Sequence, residues 1–243
     1  MPMDTSFWIR YNPKITVEHT TKKYFGKFLY KIVMYCPAGR LVNSKGDMVA
    51  ALDHRKSVYK HINQSGWWGA RQNRDIDNAN ISLLEVLRTI RRGSTGIKLR
   101  VEEPRIQIYA TTEEELIELI ITHLQPYTSH IESISGPANA ECAEILNSGA
   151  ILRKKDIGYT HKIILRDGRY TTELKENILS YLTSIGPETL SISTGLIDTL
   201  SKSNPFLWNA YFYTNDPSVT TFLNLISPGL VLNIHELVVV PHK

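Results

Sequence analysis

The side chains best placed to do chemistry in this chain lie in residues 97–111, IKLRVEEPRIQIYAT. Apolar and polar residues alternate on both sides of a Glu-Glu-Pro turn, and successive side chains of a strand point to opposite faces. The pattern therefore predicts a hairpin with one apolar and one polar face. The polar face carries cations, an amide and one ring, from Lys98, Arg100, Arg105, Gln107 and Tyr109. This set suits an anionic ligand that bears a ring, and it identifies no reaction.

A second group of candidate binding residues lies in a polar loop at 63–78. Two tryptophans stand beside two arginines among glycines and amides, at Trp67, Trp68, Arg71 and Arg74. Exposed Trp and Arg side chains stack on bases and dominate protein contacts. The alternative is that at least one of the two tryptophans packs against the hydrophobic core and anchors the loop there.

Charge is distributed unevenly along the chain, although the net charge is only +4. Residues 1–110 hold 19 Lys or Arg and 9 Asp or Glu, a balance of +10. Residues 111–150 hold seven Glu and no Lys or Arg. A cationic N-terminal half attracts phosphates, and the alternative is a solvated surface with internal ion pairs.

Composition favours a globular protein of 243 residues, since 42% of them are apolar. We expect a soluble, intracellular and cytoplasmic protein without membrane contact, because no run approaches the roughly 18 apolar residues of a membrane span and the N-terminus lacks the apolar run of a secretory signal. Cys36 and Cys142 are too few for a disulfide framework and form no zinc pair. We predict two buried, reduced thiols.

Hydrophobic period and turn signals predict one order of elements twice. The first set comprises strand 27–36, helices 47–62 and 81–92, hairpin 97–109, a helix opened by a Thr112 and Glu115 capping box, and strand 129–135. A connecting helix is predicted at 138–147. The second set comprises strand 160–166, helix 172–185, strand 189–194, a long connection, strand 206–214, a helix opened by Asp216 and Pro217, and strand 230–240.

Two local echoes support a tandem repeat. Lys31-Ile32-Val33 is similar to Lys162-Ile163-Ile164, and a tyrosine precedes a helix by the same spacing at Tyr109 and Tyr213. The predicted domains are an N-terminal arm at 1–26, a first unit at 27–136 with an insertion loop at 63–78, a connecting helix and linker at 137–156, and a second unit at 157–243.

The order strand, helix, strand, strand, helix, strand resembles the ferredoxin-like fold, an α+β arrangement that RNA-recognition modules also use. The resemblance is one of topology, covers most of residues 27–240, and implies that helices cover one sheet face and leave the other open. Lys31 and Tyr35 would join the hairpin residues on the open face of the first unit. Such modules stack bases on this face. In the second unit, strand 206–213 is aromatic but lacks the leading Lys or Arg and Gly of that motif.

A nuclease or a polymerase-palm-type enzyme of this topology is the less favoured alternative to a binding protein. Polymerase palms hold two metal ions with carboxylates on the first strand and the hairpin; Glu102 and Glu103 lie at the hairpin tip, but the first strand offers no carboxylate before Asp47. An RNA-cleaving enzyme would need a histidine near the sheet, and His54, His61 and His161 stand in no motif. We predict no catalytic residue, metal or cofactor.

The sequence thus predicts a nucleic-acid-binding protein, more in keeping with single-stranded RNA or DNA than with duplex. The alternative is an assembly or scaffold protein, in which the second unit contacts a protein partner or a second copy. Salt dependence distinguishes these two functions, because binding to phosphates weakens as the salt concentration rises.

Overall fold

The hairpin predicted at 97–109 forms one edge of a five-stranded sheet in the first half of the chain. The structure, a computed structural model, describes residues 3–64 and 76–240. The chain divides into two compact units, Met1–Glu144 and Ile145–Lys243. Each unit contains helices and a mixed sheet, so the predicted α+β class is confirmed.

Helices and strands alternate along both units. The helices are Thr5–Tyr11 (α1), Met48–Gln64 (α2), Ile81–Gly93 (α3), Glu113–Leu119 (α4), Ala140–Asn147 (α5), Thr172–Ser184 (α6), Thr194–Ser201 (α7) and Val219–Ile226 (α8). The strands are Thr16–His19 (β1), Tyr30–Tyr35 (β2), Lys98–Glu102 (β3), Arg105–Ala110 (β4), Ile131–Gly136 (β5), Ile151–Arg153 (β6), His161–Leu165 (β7), Gly168–Arg169 (β8), Leu190–Ile192 (β9), Phe206–Leu207 (β10), Tyr211–Thr214 (β11) and Val231–Val239 (β12). Short 3-10 or π-helical segments lie at Gly39–Asn43, Ile76–Asn78, Ile120–Leu124 and Gln125–His130.

The sheet of the first unit has the strand order β1-β5-β2-β4-β3. Strand β2 lies at its centre and is antiparallel to β4 and β5, while β1 is parallel to β5 at the edge. One face is fully buried, with Ile32, Met34, Ile106 and Ile108 each 0% exposed. The alternation read from the hairpin sequence therefore separates a core face from a polar face.

The sheet of the second unit has the order β6-β12-β7-β11-β9. Its central strand β7 is antiparallel to β11 and β12, and β6 is parallel to β12 at the edge. Ile163, Leu165 and Phe212 fill the buried face and are 0% exposed. In both sheets, the first strand of the predicted repeat thus lies between the third and the fourth strands of that repeat.

The starts of α4 and α3 carry the caps that their sequences favour. The Thr112 hydroxyl accepts from the Glu115 N–H while the Glu115 carboxylate accepts from the Thr112 N–H, so the predicted capping box opens α4. Asn80 caps α3 by accepting from the Leu83 N–H at 3.1 Å. Each cap satisfies an N–H group that the helix itself leaves without a partner.

The prediction that Asp216 and Pro217 open α8, by contrast, was wrong. Helix α8 begins at Val219, with Ser218 as its N-cap.

Residues 1–26, predicted as an arm, contain α1 and β1. Trp8 of α1 is 0% exposed, and its Nε1 donates to the Glu113 carboxylate at 2.7 Å. The Asp4 N–H donates to the same carboxylate at 2.9 and 3.0 Å. Burial raises the pKa of Glu113 against the effect of these hydrogen bonds. A buried tryptophan and carboxylate therefore fix α1 at the start of α4.

Two further predictions for the second unit were wrong. Helix α7 occupies residues predicted as a connection. The strand predicted over 206–214 is broken, because Asn209 adopts a left-handed conformation with φ 50 and β10 pairs with β8 while β11 pairs with β7.

Among the described residues, no helix is long and apolar enough to cross a membrane. Cys36 and Cys142 are free and buried, as predicted.

Candidate nucleic-acid interface

The polar face of the first unit's sheet carries the residues predicted from the hairpin and from β2. In the cross-strand register, Tyr109 lies opposite Lys31 on one side and Lys98 on the other. Tyr35 lies opposite Arg105. Because side chains alternate along each strand, one face carries seven of the predicted residues: Lys31, Tyr35, Lys98, Arg100, Arg105, Gln107 and Tyr109.

Both arginines on this face have carboxylate partners. Arg100 pairs with Glu102 at 2.6 Å, and Gln107 Nε2 donates to the same carboxylate at 2.6 Å. Arg105 pairs with Glu132. Internal ion pairs, the alternative to a phosphate-binding surface, are thus present at these two positions. The pairs are largely exposed, and such pairs contribute little free energy of folding, so a phosphate can compete for either guanidinium.

The ring of Tyr109 is covered rather than open to a ligand. Tyr109 is 3% exposed, and its ring centroid lies 5.3 Å from that of Tyr24, 5.0 Å from Phe25 and 6.2 Å from Phe28. Burial raises the pKa of its hydroxyl, which donates to the Gln107 side chain. A base cannot reach this ring, and the most exposed ring beside the lysines of this face is Phe25.

Phe25 lies at the tip of a tight turn over residues 24–27. Phe25 and Gly26 have φ values of 53 and 68, and the Lys27 N–H donates to the Tyr24 carbonyl at 3.1 Å. Positive φ at both central positions is the geometry of a type I′ turn. Glycine adopts it freely, whereas a left-handed Phe costs about 1 kcal/mol. The turn nevertheless presents Phe25 with 49% of its surface exposed.

Three lysines lie against aromatic rings of this region, one of them against Phe25. Lys98 Nζ lies 3.5 Å from the Phe25 ring centroid, Lys31 Nζ lies 5.2 Å from the Tyr24 centroid, and Lys27 Nζ lies 5.2 Å from the Phe28 centroid. Residues 22–31 contain four lysines and no acidic residue. We call Tyr24, Phe25, Lys27, Lys31 and Lys98 the lysine-aromatic cluster. Its cations and exposed ring can hold a phosphate and stack on a planar base.

The remaining candidates lie elsewhere. Trp67, Trp68, Arg71 and Arg74 fall outside the described residues. Glu103, considered for metal binding, accepts from the guanidinium of Arg55 and from the Arg40 N–H. Within 3–64 and 76–240, no group of three or more His, Cys, Asp or Glu side chains is placed to hold a metal ion.

Sequence reasoning missed Tyr24, Phe25 and Lys27, which lie in the predicted arm and at the start of the first strand. A signal was present, because Lys-Lys-Tyr-Phe-Gly-Lys sets a glycine beside aromatic residues in a basic run, and glycine marks turns that need positive φ. The pattern does not reveal that this turn covers Tyr109.

Comparisons with known proteins returned nothing: no protein-family model, curated protein or solved structure matches this chain. The functional interpretation therefore depends on the geometry of the lysine-aromatic cluster.

Proposed function

We propose that this chain binds single-stranded nucleic acid through the lysine-aromatic cluster of its first unit. One observation carries the proposal: Phe25 is 49% exposed at the tip of a strained turn, with Lys98 Nζ 3.5 Å from its ring. The ammonium lies over the ring, and the exposed half of the Phe25 surface is available to a base. Proteins that bind single strands combine stacking rings with cations that follow the phosphates.

We also propose that both units are ferredoxin-like units similar to RNA-recognition modules, each with an added edge strand. In each sheet the four strands of the predicted repeat stand in the order fourth, first, third, second. The first-strand lysine also lies opposite the third-strand tyrosine in both, as Lys31 opposite Tyr109 and Lys162 opposite Tyr213. The loop with Trp67 and Trp68 remains a proposed clamp.

Fluorescence anisotropy tests the proposal. Labelled single-stranded RNA, single-stranded DNA and duplex DNA are titrated with the full chain across roughly 50–300 mM salt, because phosphate contacts give a steep salt dependence. Salt-sensitive binding to a single strand in preference to duplex is expected. Failure to bind any of the three polymers at the lowest salt would overturn the proposal.

Assembly through the second unit is the alternative function, and α8 provides the observation that favours it. Leu225 and Phe222 are 76% and 46% exposed, and α8 contains no charged residue. Exposed apolar surface of this kind marks protein interfaces. Light scattering distinguishes the two functions: assembly predicts self-association that is insensitive to salt and is lost in Leu225→Asp, whereas the nucleic-acid proposal predicts no effect of this substitution on polymer binding.

A further inference from the structure

A second group of rings lies on the surface of the second unit, at the break between β10 and β11. Trp208 is 59% exposed, and its ring lies 5.6 Å from that of Phe206 with 17° between the planes. The guanidinium carbon of Arg169 lies 4.7 Å from the Phe206 centroid. The stack with Phe206 uses one face of the Trp208 indole, and the indole remains mostly exposed.

A cleft of about 270 Å³ lies beside Trp208. Trp208, Asn209 and Tyr211 line one wall, and α7 with its cap supplies the other through Ser193, Gly195, Leu196 and Thr199. One water occupies about 30 Å³, so the cleft has room for a planar ring. The lining therefore combines two aromatic residues with hydroxyl and glycine positions of α7 and its cap, and a base can enter the cleft.

Cations lie against Tyr211, which lines the cleft, and against Phe206, on which Trp208 stacks. Lys162 Nζ lies 3.7 Å from the Tyr211 centroid, and Arg169 lies against Phe206, the ring on which Trp208 stacks. The nearby Asp167 carboxylate accepts from the Asn209 N–H at 2.7 Å and so holds the turn. A ring-bearing anion complements this combination of rings and cations.

We propose that the cleft between Trp208 and Tyr211 is a second stacking site, which takes one base of a single-stranded nucleic acid with its phosphates beside Arg169 and Lys162. The ligand class rests on the proposed function of the first unit. The residues of this second site are entirely different from those of the lysine-aromatic cluster, so substitutions can remove the two sites separately.

Gly195 offers a variant that closes the cleft without removing a ring. A Cβ at Gly195 would meet no atom closer than the Ser193 Oγ at 4.0 Å. The first side-chain atom of a leucine at this position is therefore accommodated, and a helix tolerates Leu better than Gly. Trp208→Ala removes the stacking surface by an independent route. Leu232→Ala, which truncates an exposed apolar residue of β12 that does not line the cleft, is the matched control.

Calorimetric titration of the full chain with a four-nucleotide single strand at low salt tests the inference. Site sizes of about four nucleotides are the smallest for single-strand modules. We expect two oligomers per chain in the unmodified protein and in Leu232→Ala, and one in Gly195→Leu, in Trp208→Ala and in Phe25→Asn. The remaining site of Phe25→Asn should be lost when Trp208→Ala is added. Thermal melts confirm that each variant is folded.

The two proposals fail in distinguishable ways. A single oligomer per chain, lost in Phe25→Asn and unaffected by Gly195→Leu and Trp208→Ala, overturns the second site and leaves the first. A single oligomer lost in both cleft variants and retained in Phe25→Asn overturns the first site and leaves the second. No binding of the oligomer to the unmodified chain overturns both.

Discussion

The ammonium of Lys98 lies 3.5 Å from the ring centroid of Phe25, although the two residues belong to segments far apart in the sequence. Lys98 is on the edge strand β3, opposite Tyr109 of β4, and the rings of Phe25 and Tyr109 make a T-shaped contact. The sheet therefore supports the turn with a ring beneath it and a cation beside it. These contacts hold an exposed aromatic ring in place, although Phe25 lies in a turn and not in a helix or a strand.

Phe25→Asn should leave the free energy of unfolding of the first unit unchanged or raise it by up to about 1 kcal/mol. Asn tolerates the left-handed conformation that strains Phe, and this gain offsets the loss of the ring contact with Tyr109. The free energy of unfolding is measured in urea, with Phe25→Trp as the control that keeps both the ring and the strain. A loss of more than about 2 kcal/mol in the Asn variant would mean that Phe25 is held for packing.

Lys27→Gln and Lys98→Gln should each make nucleic-acid binding less dependent on salt. On single strands, every phosphate neutralised contributes about 0.7 to the slope of log affinity against log salt, so each substitution should reduce the slope by about that amount. Lys155→Gln is the matched control, since Lys155 is an exposed lysine of the second unit. Equal slopes in all four proteins would remove these lysines from the interface.

The ion pair between Glu103 and Arg55 should stabilise the first unit only above acidic pH. Burial alone would raise the pKa of Glu103, but hydrogen bonds from Arg55 and the Arg40 N–H lower it overall from its ordinary value of 4.5. A folded-state pKa below the unfolded one gives stability that is present above about pH 4.5 and is lost as the pH falls through the folded value. Side-chain exposures of 12% for Arg55 and 20% for Glu103 keep solvent screening small.

Urea unfolding checks this expectation. At pH 7, Glu103→Gln should lower the free energy of unfolding by about 1–3 kcal/mol, the contribution of hydrogen bonds to charged groups. The difference from the unmodified protein should shrink when both are measured below pH 4. A difference that is the same at both pH values would show that ionisation of Glu103 is not the source of the stability.

The two thiols should be unreactive in the folded protein. Cys36 is 1% exposed, and burial, with a smaller effect from Glu103, raises its pKa to about 12. Cys142 is 3% exposed. Because the thiolate is the reactive form, a disulfide reagent at pH 8 should label neither residue within minutes and both after unfolding in urea. Rapid labelling of a native thiol would contradict the burial described for it.

The sequence predicted the parts of the fold that local period determines. Alternation in residues 97–109 correctly gave a hairpin with a buried and a polar face. The echo between Lys31 and Lys162 also matched equivalent positions on the central strands of the two sheets. Such features depend on side-chain spacing, which is visible in a short window.

Features set by distant contacts escaped prediction. Helix α7 contains a glycine and few strong helix formers, and its burial of Leu196 and Leu200 becomes apparent only in the folded unit. The break at Asn209 depends on a backbone conformation that an aromatic strand pattern conceals. The covering of Tyr109 by the turn at 24–27 is a tertiary contact, so period alone assigned its ring to the open face.

Whether Phe25 contacts nucleic acid is decided by the affinity of Phe25→Asn for a labelled single strand, compared with that of the unmodified protein at equal low salt. Stacking contributes about 1–3 kcal/mol per base, so we expect at least about a fivefold loss of affinity in Phe25→Asn, a near-normal affinity in Phe25→Trp, and no loss of thermal stability in the Asn variant. Equal affinities in the three folded proteins would contradict the claim that the lysine-aromatic cluster binds nucleic acid.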